Sequence, residues 1–329
     1  MIAYIIQRLF HSILVILAVG LIAFSLFRFV GDPVNNMVGQ DTTIEEREVL
    51  RESLGLNDPI LIQFTRYMAN VASGELGISY RLGRPVGDLF IERLPATLEL
   101  SILSSILAVG MGIFLGVLAG VYPRRLSSRL SMTLSLVGVS LPPFFVGILL
   151  IVVFSVIFHW LPSFGRGTVV ELGWWTTGLL TVDGLKALIL PSITLALFQM
   201  TLIMRLVRSQ MMQVLRTDYI KFARARGLRN NVVHFRHALK NTLVPIITVT
   251  GLQLSSIIAF AIITETVFQW PGMGLLFITA VQFADVPVMA AYLMLVSVFF
   301  VVINLICDLL YFVVDPRLRS EAEHKKPVQ

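Results

Sequence analysis

Charge is scarce in this chain. Asp, Glu, Lys and Arg make up 14% of its 329 residues, where soluble globular domains hold about a quarter. With 56% hydrophobic residues and a mean hydropathy of +0.82, that scarcity excludes an ordinary soluble domain. Cysteine is nearly absent: Cys307 is the only one. One thiol makes no internal disulfide, and inside an apolar run its ordinary role is packing. The phosphate-cradling sequence Gly-x-x-x-x-Gly-Lys-Ser/Thr is missing, so no ATP is expected to bind here by that route. Gly-x-Ser-x-Gly is missing too, which removes the usual hydrolase nucleophile turn. His159, His234 and His237 do not follow a zinc-protease spacing. His234 and His237 share a helical face, but Arg236 lies between them and no carboxylate is near, so no metal site is expected. There is no repeat of about 20–50 residues and no low-complexity segment.

What the chain has instead is long apolar runs. About 30 Å of hydrocarbon needs about 20 helical residues. Six runs meet that length: 9–30, 98–122, 130–158, 187–207, 243–268 and 288–314. In lipid every backbone amide must be satisfied internally, so six helices are expected rather than six strands. The fold class is therefore an all-α membrane protein with six transmembrane helices. Arg8 precedes the first run as in a signal peptide. Its apolar part exceeds the usual length and no small-x-small cleavage site follows, so it reads as a retained helix.

Orientation follows from Lys and Arg. With the N-terminus cytoplasmic, 17 Lys or Arg fall inside and 9 outside, while the acids divide 4 inside and 14 outside. Glu265 and Asp308 remain within the apolar runs. The opposite orientation places a nine-cation segment outside. Both termini are thus expected in the cytoplasm, and the spans are expected to contact membrane lipids. The basic balance reflects topology, and no basic–aromatic interleaving points to nucleic acid.

The expected organisation is an N-terminal transmembrane helix over 1–30 and an external segment over 31–97. A transmembrane core over 98–314 carries a cytoplasmic loop at 208–242, and a cytoplasmic tail spans 315–329. In the external segment "IEEREVLRESLGL" predicts a helix with Ile44, Val49, Leu50 and Leu54 on one face and Gly55 as its stop. "NDPILIQFTRYMANV" predicts a second, with Pro59 near its first turn. Trp174 and Trp175 suit a membrane–water interface.

Several positions interrupt the apolar runs. Pro142 and Pro143 in the third and Pro191 in the fourth are expected to kink or break their helices. Either this is ordinary proline tolerance or the bends line a path that opens and closes. Gly110, Gly112, Gly116 and Gly120 permit close helix contact. Glu265 and Asp308 each need a partner or water. Glu265 is read as facing a wet vestibule, and Asp308 as capping or pairing near the cytoplasmic end.

The segment Tyr219–Pro245 carries six Lys or Arg, two His and no acid. Thr217 or Asp218 suits an N-cap. "YIKFARAR" predicts two helical turns ending at Gly227, which suits a left-handed C-terminal position. Asn230 or Asn231 starts the next helix, and Pro245 opens the fifth run. An inside-positive loop held against anionic lipid accounts for the charge. It does not account for a capped helix with aromatic residues, which suits a groove on another protein.

This loop resembles the cytoplasmic coupling motif of ABC-importer permeases: Glu-Ala-Ala, three residues, Gly, nine residues, Ile-x-Leu-Pro. Aligned on Gly227, Lys221 and Phe222 stand in place of the first Glu and Ala. Ala223 and Leu239 match, and Lys240 stands in place of the Pro. The dipeptide/oligopeptide/nickel branch has its own form, and "DYIKFARARGL…RHALKNTLVP" resembles it closely. "LGLNDPILIQF", "GELGIS", "ERLPATLEL", "SLPPFFVG", "TETVFQWPGMG" and "DLLYFVVDPRLR" resemble that branch in order along nearly the whole chain. One departure is "VQFADVP", where Ala284 stands for the branch's usual Arg and Val286 for its Tyr. That puts in question a cation at this external turn.

The resemblance implies a type I importer permease working with a second homologous permease, two ABC ATPase subunits and an external solute-binding protein. ATP and Mg would bind those ATPases; no cofactor is expected in this chain. It implies that Tyr219, Lys221, Phe222, Ala223, Arg224, Ala225, Arg226, Gly227 and Leu228 seat in an ATPase cleft. Apolar and small residues would give the fit, Gly227 the turn and the cations orientation. Peptides, glutathione or nickel chelates are the implied solutes. Ser140, Phe144, Gln253 and Glu265 are candidates for the solute path, core packing being the competing role of each. An ion-coupled carrier and a non-transporting scaffold remain alternatives. The first lacks inverted repeats and paired buried charges.

Overall fold

In the computed structural model, residues 2–29, 43–53 and 56–314 are described. Long helices dominate them. Helix α1 (Ile2–Phe29) is followed by α2 (Ile44–Ser53) and α3 (Ile60–Ser73). Next come α4 (Val86–Val121), α5 (Leu126–Ser140) and α6 (Pro143–Leu150), the last prolonged by π-type winding over Ile151–Ile157. After a β-hairpin come α7 (Val182–Val214) and α8 (Asp218–Ala225). Helices α9 (Lys240–Val267), α10 (Met273–Gln282) and α11 (Val286–Val314) complete the described residues.

Among the described residues four helices are long and apolar enough to cross a membrane, or up to six when each of two broken pairs is counted as one span. The first broken pair is Leu126–Ser140 with Pro143–Ile157, bent by 112°. The bend sits at the prolines that predict it: Pro142 caps α6 and Pro143 opens it, positions where a missing N–H costs nothing. The second is Pro245–Gly251 with Ser256–Val267, bent by 47°. Pro191 behaves otherwise. It is buried inside α7, which runs unbroken from Val182 to Val214. Packed membrane helices absorb a proline when neighbouring groups compensate, so the break expected there does not occur.

The two helices between α1 and α4 form where the sequence predicts them. Thr43 and Glu46 make a reciprocal capping box at α2, with Thr43 N–H donating to Glu46 Oε2 (3.1 Å) and Glu46 N–H to Thr43 Oγ1 (3.3 Å). Pro59 directly precedes α3. Leu54 and Gly55 lie outside the described residues, as do the tail 315–329 and the side chains of Leu50 and Asp308. Helix α3 lies against α1, with Tyr67 beside Phe24 and Phe27 and Met68 over Gly20.

A two-stranded hairpin, not anticipated from the sequence, pairs β1 (Val170–Leu172) with β2 (Trp175–Thr177). Its two-residue turn is Gly173-Trp174, with Gly173 at φ +66°. Arg166 fixes the hairpin to α4. Its Nη2 lies 2.6 Å from Glu99 Oε2 and also donates to the Thr176 carbonyl (2.6 Å), while Nη1 donates to Thr176 Oγ1 (2.7 Å). Both members of this ion pair are buried.

The bundle closes on a small-residue strip. Gly112, Gly116 and Gly120 of α4 face Ile203, Val207 and Met211 of α7 in step. Both series rise by four, so the helices run parallel there. Gly110 has nothing within 4 Å of where a Cβ would be and is not part of the strip. Cys307 is buried, with its sulfur against Gly251 of α9, the packing role expected of it.

Candidate functional site

The basic loop folds as a short helix with two faces. Helix α8 starts after Thr217, whose backbone is extended (φ −71°, ψ 154°) and whose hydroxyl donates to the Val214 carbonyl (2.6 Å) rather than capping α8. It ends in a Schellman arrangement. Leu228 N–H reaches the Ala223 carbonyl (3.4 Å) and Gly227 N–H the Arg224 carbonyl (2.9 Å). Gly227 takes φ +77°, the left-handed region that side chains resist.

Ile220 and Ala223 point inward. They join Val117 of α4, Ile203, Val207 and Met211 of α7, and Val233, Ala238 and Ile246 in one buried cluster. Full burial of an Ile side chain contributes about 1.5–3 kcal/mol, so the helix is fixed to the ends of the spans it packs against. Tyr219, Lys221, Phe222, Arg224, Ala225, Arg226 and Leu228 are exposed. Phe222 is 64% exposed, a large apolar side chain left without cover. Arg226 lies 5.8 Å from its ring centroid. Lys221 pairs with Asp218 at 2.8 Å, an exposed contact of little stabilising value. Ala223, read from the sequence as part of a fit to another protein, faces the chain's own core.

Beneath α8 the chain is helical again from Asn230, with π-type winding over Val232–Leu239 that runs on into α9. Pro245 therefore lies inside α9 rather than opening it. Asn241 Nδ2 donates to Tyr219 Oη (2.8 Å), tying α9 back to α8. His234 is buried in this joint. Burial holds its pKa below the ordinary histidine value, and the nearby Arg224 charge pushes it the same way.

The four path candidates sit in different surroundings. Ser140 ends α5, exposed, its hydroxyl on the Leu136 carbonyl (2.9 Å). Phe144 is the second residue of α6 at 47% exposure, so these two flank the proline bend. Gln253 lies where α9 bends, and its carbonyl accepts from Ser256 Oγ (2.8 Å). Glu265 faces no vestibule. It is 0% exposed, accepts from Thr97 Oγ1 (2.6 Å) and from Leu275 N–H (3.0 Å), and so caps α10. The donors at a helix N-terminus draw the carboxylate inward in place of water.

Sequence reading missed Thr97, Ser79 and the buried Glu99–Arg166 pair. Acids at the edge of apolar runs were the only signal, and an isolated acid does not name its partner. At the turn after α10, Ala284 takes φ +52°. The Arg81 guanidinium lies 4.0 Å from the Phe283 ring centroid, so a cation is present there from another loop.

Comparison with known proteins agrees along the chain. The N-terminal component of binding-protein-dependent transport system membrane proteins matches residues 1–101. The dipeptide transport system permease protein DppB of Alkalihalophilus pseudofirmus is 37% identical over 97% of this chain and 100% of its own. The oligopeptide transport system permease protein AppB of Bacillus subtilis is 38% identical over 97% and 99%. DppB of Escherichia coli K12 is 37% identical over 99% and 100%. A solved chain of the inward-facing MetNI methionine ABC transporter shares the fold, with TM-score 0.53 and 17% identity over 69% of this chain and 96% of that one. The family described as "Binding-protein-dependent transport system inner membrane component" matches residues 112–320, and the chain belongs to it as a multi-pass inner-membrane permease subunit of an ABC importer.

Proposed function

We propose that the chain forms half of a translocation path for peptides or related small solutes, and that α8 with Gly227 and Leu228 couples it to ATP hydrolysis in partner subunits. The partners in this reading are a second homologous permease, two ABC ATPases that bind ATP and Mg, and an external solute-binding protein. Both termini face the cytoplasm, as the distribution of Lys and Arg favours. Relatives named for dipeptides and oligopeptides support the solute class.

The observation that carries the coupling reading is the division of α8. Ile220 and Ala223 belong to the core that joins α4, α7 and α9, while Phe222, Tyr219 and Leu228 are exposed beside cations. A push on the outer face thus reaches three spans through buried side chains. Lipid attraction uses the cations and can use an exposed Phe222, but it needs no buried anchor. The test is reconstitution with the expected subunits and measurement of ATP-driven dipeptide uptake, with Phe222→Ala alongside. Uptake should fall at least tenfold in the variant with assembly retained. Uptake driven by an ion gradient without ATP, or wild-type uptake by Phe222→Ala, would sink the reading.

A further inference from the structure

Two buried carboxylates stand at opposite ends of the short helix α10. Ahead of it, Glu265 accepts from Thr97 Oγ1 (2.6 Å) and Leu275 N–H (3.0 Å). Thr97 Oγ1 in turn accepts from Met273 N–H (2.7 Å). Just past its other end, Asp285 is 2% exposed. It accepts from Ser79 Oγ (2.5 Å), Tyr80 N–H (3.1 Å) and Arg81 N–H (3.4 Å). Ser79 lies in the turn leading into α4 and Thr97 in its fourth turn, so the two hydroxyl–carboxylate pairs bracket the first turns of that helix.

The body of α10 is packed as tightly as its ends. Met273 and Ala280 share a buried cluster with Val86, Leu89 and Phe90 of α4 and Val288, Ala291 and Tyr292 of α11. Phe277 stacks on Tyr292 with ring centroids 4.5 Å apart. A Cβ on Gly272 would meet the Glu265 carboxylate at 2.4 Å, and one on Gly274 would meet Ile262 Cα at 2.6 Å. The Trp270 indole N–H donates to the Ala96 carbonyl (2.9 Å). Farther down α9 the helix bends by 47° between Gly251 and Ser256.

We propose that Glu265 and Asp285 are positioning residues of the transport cycle. They staple the two ends of α10 to the turn before α4 and to its fourth turn, so that the external ends of α4, α9 and α11 move as one plate while α9 flexes at residues 252–255. Opening the plate would strip donors from a buried carboxylate, which low-dielectric surroundings penalise heavily. Flexing a helix at an existing bend strips nothing comparable. This inference rests on the reading of the chain as a solute-moving permease, but its first test does not.

That test is a distance. Spin labels at Leu82→Cys and Gln282→Cys, both exposed, would be read in the assembled transporter with and without ATP. The distance is expected to stay the same in both states, and a shift of several ångströms overturns the proposal whether or not any solute moves. The second test compares Glu265→Gln and Asp285→Asn in reconstituted vesicles. Complex yield and ATP hydrolysis are expected to hold within twofold while peptide uptake falls at least tenfold, raising the ATP used per solute. Parallel loss of yield, hydrolysis and uptake would mark a merely structural role and overturn the proposal, as would undiminished uptake. A wild-type transporter that moves no peptide would count against the function proposed above, and the spin-label distance would still decide this inference.

Discussion

Gly116 of α4 lies so close to α7 that a Cβ there would stand 2.6 Å from Val207 Cβ and 2.8 Å from the Met204 carbonyl oxygen. Backbone cannot give way as a flexible side chain does. Gly116→Leu should destabilise the α4–α7 pair by about 1–3 kcal/mol or more. Thermal unfolding in detergent checks this, with Gly110→Leu as the control, since nothing lies within 4 Å of that site.

Arg166→Met should be costly in a different way. It removes the cation from a buried pair and leaves Glu99 uncompensated, a loss of about 3–5 kcal/mol. The double variant Glu99→Met, Arg166→Met should recover much of that, because no buried charge remains. Melting temperatures of the two single variants and the double variant form the cycle that measures it.

Among the helix ends in the left-handed region are Gly227 (φ +77°) and Ala284 (φ +52°). Substitutions there should act in opposite directions. Gly227→Val forces a β-branched residue into that region. With open space around it, the strain is confined to the turn. Uptake should drop while the spans still assemble. Ala284→Gly should stabilise by up to about 1 kcal/mol, since left-handed geometry costs an alanine about 1–2 kcal/mol and the freer unfolded glycine returns part of it. An uptake assay checks the first, and denaturation against the parent checks the second.

His234 should make stability fall on the acid side of neutrality. Its pKa is held below the ordinary value by burial, and next by Arg224. Above about pH 6.5 both folded and unfolded chains carry it neutral, and it contributes no pH dependence. As pH drops below that, the unfolded chain takes up the proton first and the folded state loses ground until its own lower pKa is passed. Melting between pH 7.5 and 5 should show this slope, and His234→Gln should flatten it.

Much of the fold was legible because membrane spanning has a strong length requirement. The six runs, the break at Pro142 and Pro143, and the turn at Gly227 each follow from one local rule. The faces of α8 were less legible. Its alternation of apolar and basic residues does not say that Ile220 and Ala223 face the core while Phe222 faces out. The carboxylate contacts were not legible at all. Thr97 and Glu265 are far apart in sequence, and each looks unremarkable alone. Pro191 shows the reverse failure, a local rule overridden by packing around a long helix.

The sole thiol of the chain, Cys307, is shielded within the bundle. Reagents that need an accessible thiolate should leave it untouched under native conditions. The unmodified protein is therefore already a silent background for maleimide or spin-probe chemistry, and a cysteine placed on any outer surface becomes its one responsive handle.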